Sequence, residues 1–220
     1  MNYILDLDGT LIDSSERHYR LMDMLLKAYV PDVLERKTFL PAAFMQYKAD
    51  GNSGKKYLLE CMGIEEKKAD CIMAAWQQRI EEEQWQRLDR LYPDTKKFLE
   101  RIRQEGADIY YLTARQKETE LFEELERLEI AEYPKEVKVV QPFHAFEEKK
   151  GFVKNLIASN NFSEKQLFVI GDTENEYRLA KELLLPYGIL NRGFRSKRFW
   201  DQKGIASYSS LEEICESNGC

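Results

Sequence analysis

Apolar and polar positions follow two rhythms along the 220-residue chain. Short runs of mostly aliphatic and aromatic residues occur at 3–6, 108–112, 137–140, 167–170 and 187–190, with a weaker run at 205–208. Runs of this length bounded by polar or turn residues read as buried strands. Most are followed by a stretch in which apolar residues return every three or four positions, the period of an amphipathic helix. Strand and helix in alternation predict an α/β fold, an open and mostly parallel sheet covered on both faces. Such sheets bind ligands outside the carboxyl ends of their strands.

The alternation breaks between residues 13 and 92, where the pattern is helical nearly throughout. This stretch reads as an insert, which divides the chain into an α/β core (1–13 and 92–220) and a helical layer (14–91). Asp13 or Ser14 can cap its first helix with Glu16 as capping-box partner, and Pro31 and Pro41 mark breaks between helices. The sequence ADGNSGK at 49–55 is its clearest loop. Over 64–91, Ile72, Trp76 and Ile80 recur at i, i+4 amid charged residues, which predicts one amphipathic helix or two. Trp76 and Trp85 at this spacing read as packing residues. Leu91, Tyr92 and Pro93 lead out of the insert, and Asp94 can cap the helix that carries Phe98, Leu99 and Ile102 to Gly106.

Charge narrows the field of partners. The formal net charge is -6 with acids and bases interspersed, a poor footprint for nucleic acid. No apolar stretch approaches the length of a membrane span, and the first residues enter a strand without the pattern of a secretory signal. Cys61, Cys71, Cys215 and Cys220 lack metal-ligand or disulfide-scaffold spacing, and His18 and His144 are the only imidazoles. A cytoplasmic protein with reduced thiols and no zinc site is expected, as a monomer or weak dimer.

Four short stretches fall at or just beyond the predicted strand ends: DLDGT (6–10), LTAR (112–115), EKKG (148–151) and GDTENE (171–176). Side chains at i and i+2 of an extended strand share a face, so Asp6 and Asp8 can converge on one volume. Two carboxylates so close repel unless a proton or a cation sits between them. Asp172 supplies a third oxygen donor. An all-oxygen site of this kind suits Mg²⁺. Thr113 offers a hydroxyl and an amide, Lys149 or Lys150 a compact positive charge, and Gly9 and Gly171 room for close backbone approach.

These four stretches, in this order and over nearly the whole chain, resemble the motifs of the haloacid dehalogenase superfamily of phosphatases and phosphotransferases. The resemblance implies a Rossmann-like core with a helical cap after the first motif. It implies a Mg²⁺-dependent phosphomonoester hydrolase that acts on a small phosphorylated metabolite through an aspartyl-phosphate on Asp6, with Asp8 as general acid and base. As an acid, Asp8 would need a pKa above the ordinary value of about 3.9. The resemblance further places Thr113, Ala114 and Lys150 against the substrate, with Lys149 as the substitute, and Asp6, Asp172 and, through its backbone carbonyl, Asp8 at the metal. Many relatives carry a second aspartate where this chain has Glu176, and Glu174 is also close by. Lys55, in the loop of the insert, is a candidate substrate contact. Two other functions stay open: phosphotransfer between hydroxyls, as in the sugar phosphomutases of the superfamily, and a catalytically silent binding protein.

Overall fold

The computed structural model describes residues 1–163 and 166–218. The chain enters the sheet as β1 (Asn2–Leu5) and passes through the short β2 (Ile12–Asp13) into α1 (Ser15–Tyr29), α2 (Pro31–Leu34), α3 (Pro41–Ala49), α4 (Gly54–Glu60), α5 (Glu66–Arg79) and α6 (Glu83–Gln86). It returns through β3 (Arg90–Leu91), α7 (Thr95–Gln104), β4 (Ile109–Ala114), α8 (Glu118–Arg127), β5 (Glu136–Val140), α9 (Ala145–Asn160), β6 (Leu167–Gly171), α10 (Glu174–Glu182), β7 (Tyr187–Ile189), α11 (Lys197–Gln202) and α12 (Leu211–Asn218).

The five longer strands form one parallel sheet in the order β5-β4-β1-β6-β7. Successive side chains alternate between two apolar layers, as a period of two requires. Tyr3 and Leu5, Ile109 and Tyr111, and Phe168 and Ile170 pack with α7, α8 and α12. Ile4, Tyr110, Leu112, Leu167 and Val169 pack with α9 and α10 on the opposite face. The α/β fold expected from the sequence is therefore present, with the order of strands reversing at β1. That reversal opens a crevice at the carboxyl ends of β1, β4 and β6.

Helices α1 to α6 gather around an apolar cluster of their own, drawn from residues 21–80. Pro31 and Pro41 stand at the first positions of α2 and α3, where a missing N–H costs nothing. The stretch over 64–91 is broken: α5 ends at Arg79, and only the short α6 follows. One feature escaped the periodicity. β2 and β3 pair antiparallel, Ile12 with Leu91 and Asp13 with Arg90, so the two connections to the helical layer run side by side. Two-residue strands are too short to show an alternation. The weak run at 205–208 contributes a single bridge, Leu190 to Tyr208, rather than a sheet strand.

Two expected caps take other partners. Ser14 makes no side-chain cap bond to α1; Asp13 accepts from the Ser15 amide instead, and Glu16 faces Arg20. Asp94 does not cap α7 with its side chain. Its carboxylate accepts both Arg192 Nη1 contacts, at 2.6 and 2.7 Å, and the Leu211 amide at 2.7 Å, while Arg192 Nη2 donates to the Thr10 carbonyl at 2.8 Å. A long-range clamp is a better use of a half-buried carboxylate than a local cap. Cys61 and Cys71 are free thiols, Cys215 is buried under the sheet, and Cys220 lies outside the described residues. No helix among the described residues is long and apolar enough to cross a membrane.

Asp94→Ala should therefore lower the unfolding free energy by about 2–4 kcal/mol, because it leaves a half-buried guanidinium and an amide without their acceptor. Asp32→Ala, which removes only an exposed pair with Arg36, should cost less than about 0.5 kcal/mol. Denaturant unfolding of both variants measures the difference, and equal losses would contradict the clamp.

Candidate active site

Asp6 is the first residue beyond β1 and Asp172 the first beyond β6, and the Asp6 amide donates to the Ile170 carbonyl at 3.0 Å. The two strands end within one residue of each other and deliver their acids to one place. Thr173 caps α10, and Glu176 sits in the first turn of that helix. Asp6, Asp172 and Glu176 are all buried, and each offers an oxygen within 4.8 Å of the others. The backbone is shaped for this crowding. A side chain at Gly9, whose φ is +77°, would begin 2.3 Å from Asp172 Oδ2, and one at Gly171 would begin 2.1 Å from Glu176 Cγ. Glycine is required at both positions.

One cation stands among these acids. Lys149 Nζ donates to Asp6 Oδ1 at 2.9 Å and to Glu176 Oε1 at 2.7 Å, with its side chain 4% exposed. Glu176 Oε2 accepts from the Thr173 hydroxyl at 2.5 Å. Asp172 Oδ2 accepts from the Phe194 amide at 2.5 Å, whereas Asp172 Oδ1 is buried with no partner among the described residues. Burial, opposed by Lys149 and reinforced by Glu176 and Asp8, pushes the Asp6 carboxyl up to about 7. Burial and the neighbouring Asp6 push Asp172 well above the carboxylate range. For Glu176, burial is outweighed by Lys149 and Thr173, which hold it below its ordinary value.

Asp8 is placed differently from the sequence expectation. Its carboxylate is not part of the acid cluster; Arg17 Nη2 reaches Oδ1 at 2.6 Å, and Arg115 reaches Oδ2 at 2.7 Å through Nε. Burial would raise this carboxyl, but the Arg115 and Arg17 charges hold it below its usual range. The expected elevation is thus reversed in this arrangement, by two guanidinium groups whose reach to Asp8 no local pattern showed. Arg115 also contacts Glu124 at 2.9 Å, and Arg17 Nε lies 3.3 Å from Asp89 Oδ2.

Thr113 and Ala114, at the end of β4, line the same cavity as Asp6, Asp8, Lys149 and Glu176. Lys150 does not reach it: its ammonium is 2.5 Å from Glu182 on the outer side of α9. Lys149, the substitute, occupies the position expected of Lys150. Lys55 is likewise remote, paired with Glu66 and Asp70 on the surface of the helical layer. That layer instead supplies Arg17, His18, Met73, Trp76, Gln77, Ile80 and Glu81. Trp76 packs against the helical core, as its spacing indicated, and also forms part of the cavity wall.

Two contacts seat the helical layer over the crevice. Glu81 accepts the Gln116 amide at 2.9 Å and the Lys117 amide at 2.7 Å, at the start of α8. On the other side Ser196 donates its amide to the Ala49 carbonyl at 2.8 Å and its hydroxyl to Asp50 at 2.9 Å. His18 lies between them, its Nδ1 2.7 Å from Lys48 Nζ. Burial, with Lys48, Arg17 and Arg115 nearby, holds its imidazole well below 6.5.

The haloacid dehalogenase-like hydrolase family matches residues 2–183. No curated protein matches the sequence closely enough to count as a relative. Solved structures are similar in fold over the full length. A haloacid dehalogenase-like hydrolase from Streptococcus pneumoniae is 17% identical with a TM-score of 0.72, over 99% of this chain and 98% of that one. A predicted phosphatase from Clostridium acetobutylicum is 18% identical with a TM-score of 0.70, over 98% and 97%. A predicted phosphoglycolate phosphatase from Haemophilus somnus is 16% identical with a TM-score of 0.66, over 98% and 96%.

His18 gives the site a pH signature. The unfolded imidazole takes up a proton near pH 6.5, and the folded one only well below that. The unfolded chain therefore binds more protons below 6.5, so this contribution to stability is complete above 6.5 and is lost as the pH falls. Between pH 6.5 and 5.5 the native protein should lose about 1 kcal/mol more than the His18→Gln variant. Denaturant midpoints at the two pH values test this; parallel losses in both proteins would show that His18 is not held neutral.

Proposed function

The chain belongs to the haloacid dehalogenase-like hydrolase family, and from that premise we propose that it is a Mg²⁺-dependent phosphatase of small phosphorylated metabolites, working through an aspartyl-phosphate. The observation that carries this reading is the convergence of Asp6, Glu176, Lys149 and Thr113 at one cavity, with Asp172 clustered against Asp6 and Glu176, at the carboxyl ends of adjacent parallel strands. The phosphatase names of similar folds point the same way.

The residues fit a hard divalent cation. Asp6, Asp172 and Glu176 offer only oxygen, their mutual repulsion is met by a single lysine, and Asp172 Oδ1 is a buried oxygen without a partner among the described residues. Asp6 and Asp172 would hold Mg²⁺, with Glu176 acting directly or through water. When bound, the ion would offset the charge of these acids and of the phosphoryl oxygens.

Asp6 then attacks phosphorus with one carboxylate oxygen while the ester P–O bond breaks, and the leaving oxygen takes a proton from Asp8. The phosphate dianion competes for Arg17 and Arg115 as it arrives, which moves the Asp8 carboxyl toward the protonated form. In the second half, Asp8 takes a proton from the water that attacks the aspartyl-phosphate; phosphate leaves and Asp6 is restored. Thr113 and Lys149 hold phosphoryl oxygens through both halves. The helical layer (14–91) acts as a cap that excludes bulk water from the intermediate. Glu176, which left a catalytically silent protein open, here joins Lys149 to the acid cluster. The exposed thiols of Cys61 and Cys71 suit a reducing, cytoplasmic setting.

Phosphate release from a panel of metabolite phosphates, with Mg²⁺ and with chelator, tests the reading. Activity should require the ion, vanish in Asp6→Asn, fall at least ~100-fold in Lys149→Met and stay within about twofold in Lys150→Met. Release that survives Asp6→Asn, or a native protein inert across the panel, would overturn it.

A further inference from the structure

The cavity over Asp6 encloses about 360 Å³, enough for a leaving group well beyond two carbons. Its floor is charged and its far wall is not. Met73, Trp76 and Ile80 from the helical layer, Phe194 from the loop after β7 and Pro142 form that wall. The rings of Trp76 and Phe194 flank His18, with centroids 5.1 and 4.7 Å from the imidazole. Together they make a broad aromatic surface facing the phosphate floor.

The charge inventory is as informative as the wall. Each cation that lines the cavity already faces carboxylates: Arg17 meets Asp8 and Asp89, Arg115 meets Asp8 and Glu124, and Lys149 meets Asp6 and Glu176. Lys48 is not part of the lining; its ammonium is turned to His18 Nδ1 and to the faces of Phe194 at 4.8 Å and Trp76 at 5.6 Å. The remaining polar lining offers no cation: Gln77, Gln116 and Asn175 are neutral, and Glu81 is a carboxylate that accepts the Gln116 and Lys117 amides. A carboxylate or second phosphate placed there would lose water and meet, within the lining, only cations that already face carboxylates, with Lys48 behind the rings, which is costly. A flat apolar group would bury its faces against rings, which is favourable.

We infer that the preferred substrates are phosphomonoesters whose alcohol carries a planar, largely apolar aryl or heteroaryl body that packs on the Trp76 and Phe194 wall, and that esters bearing a second anion are poor substrates. This rests on the phosphatase reading for its chemistry but on the wall alone for its selectivity.

Benzyl phosphate and 2-phosphoglycolate, both esters of unactivated alcohols, separate the two kinds of leaving group. With the Mg²⁺-loaded full chain, kcat/KM for benzyl phosphate should exceed that for 2-phosphoglycolate at least ~10-fold. Calorimetric binding of benzylphosphonate against phosphonoacetate, neither of which can be hydrolysed at an ester, should show a preference of similar size. Trp76→Ala should cut both ratios to about threefold or less. Met73→Lys, which adds a cation to the wall while leaving the packed indole in place, should move both toward the carboxylate ligand. Equal or inverted ratios in the native protein, ratios untouched by either variant, or no binding of either phosphonate would overturn the inference. A phosphonate preference without turnover of any ester would sink the phosphatase reading and leave the wall's selectivity standing; turnover without preference would do the reverse.

Discussion

Three buried carboxylates within 4.8 Å of one another are the constraint around which the rest of the molecule is arranged. At an effective dielectric of about 20, each pair of unit charges at that separation repels by about 3–4 kcal/mol. No fold tolerates such a cluster unless protons, a fixed cation or a bound ion offset it. Lys149 offsets part of it through two short contacts. Burial first, and the remaining repulsion after it, lifts Asp6 and Asp172 above the carboxylate range. The cluster is thus held in readiness for positive charge, and the glycines at 9 and 171 exist because nothing larger fits beside it.

The parallel sheet is what makes such a cluster attainable from distant parts of the chain. β1 and β6 are neighbours with Leu5 opposite Ile170, so their ends differ by one residue and Asp6 and Asp172, the first residues beyond them, emerge side by side. Thr113 is the penultimate residue of β4, on the other side of β1. This much was legible in the sequence, because strand-sized apolar runs ending in acids, a threonine or glycine carry their own register. The two-residue β2 and β3, and the cross-chain partners of Asp94, were not. A strand of two residues has no period, and a salt bridge spanning nearly a hundred positions leaves no local trace.

The misplacement of the lysine is instructive because the signal was present. Ala145, Lys149, Val153 and Leu156 lie at the i, i+4, i+8 and i+11 positions of α9, and all four are buried. Lys149 therefore shares the inward stripe, and Lys150, about 100° further round the helix, points toward Glu182. A motif match to a KG pair favoured the wrong neighbour; the helical period favoured the right one. Arg17 sits on the buried face of α1 with Leu21 and Leu25, where a charged residue asks for a partner. Lys48 and Glu81 had no comparable cue, since their roles depend on how the helical layer meets the sheet.

That meeting also explains why phosphate chemistry is easier to read from this sequence than specificity. The groups proposed to face phosphorus come mainly from strand ends and helix starts, whose positions follow from the sheet. The wall that faces the leaving group comes from α5 and from the loop after β7, joined only through tertiary contact. Arg17 links the two halves: it is borne by α1, in the helical layer, yet its guanidinium holds Asp8 at 2.6 Å. Any motion of α1 relative to the sheet changes the charge around Asp8 as well as the shape of the cavity. On the proposed mechanism, proton transfer at Asp8 and leaving-group fit are thereby tied to the same seating of one layer on the other, since α1 carries Arg17 and α5 carries the wall.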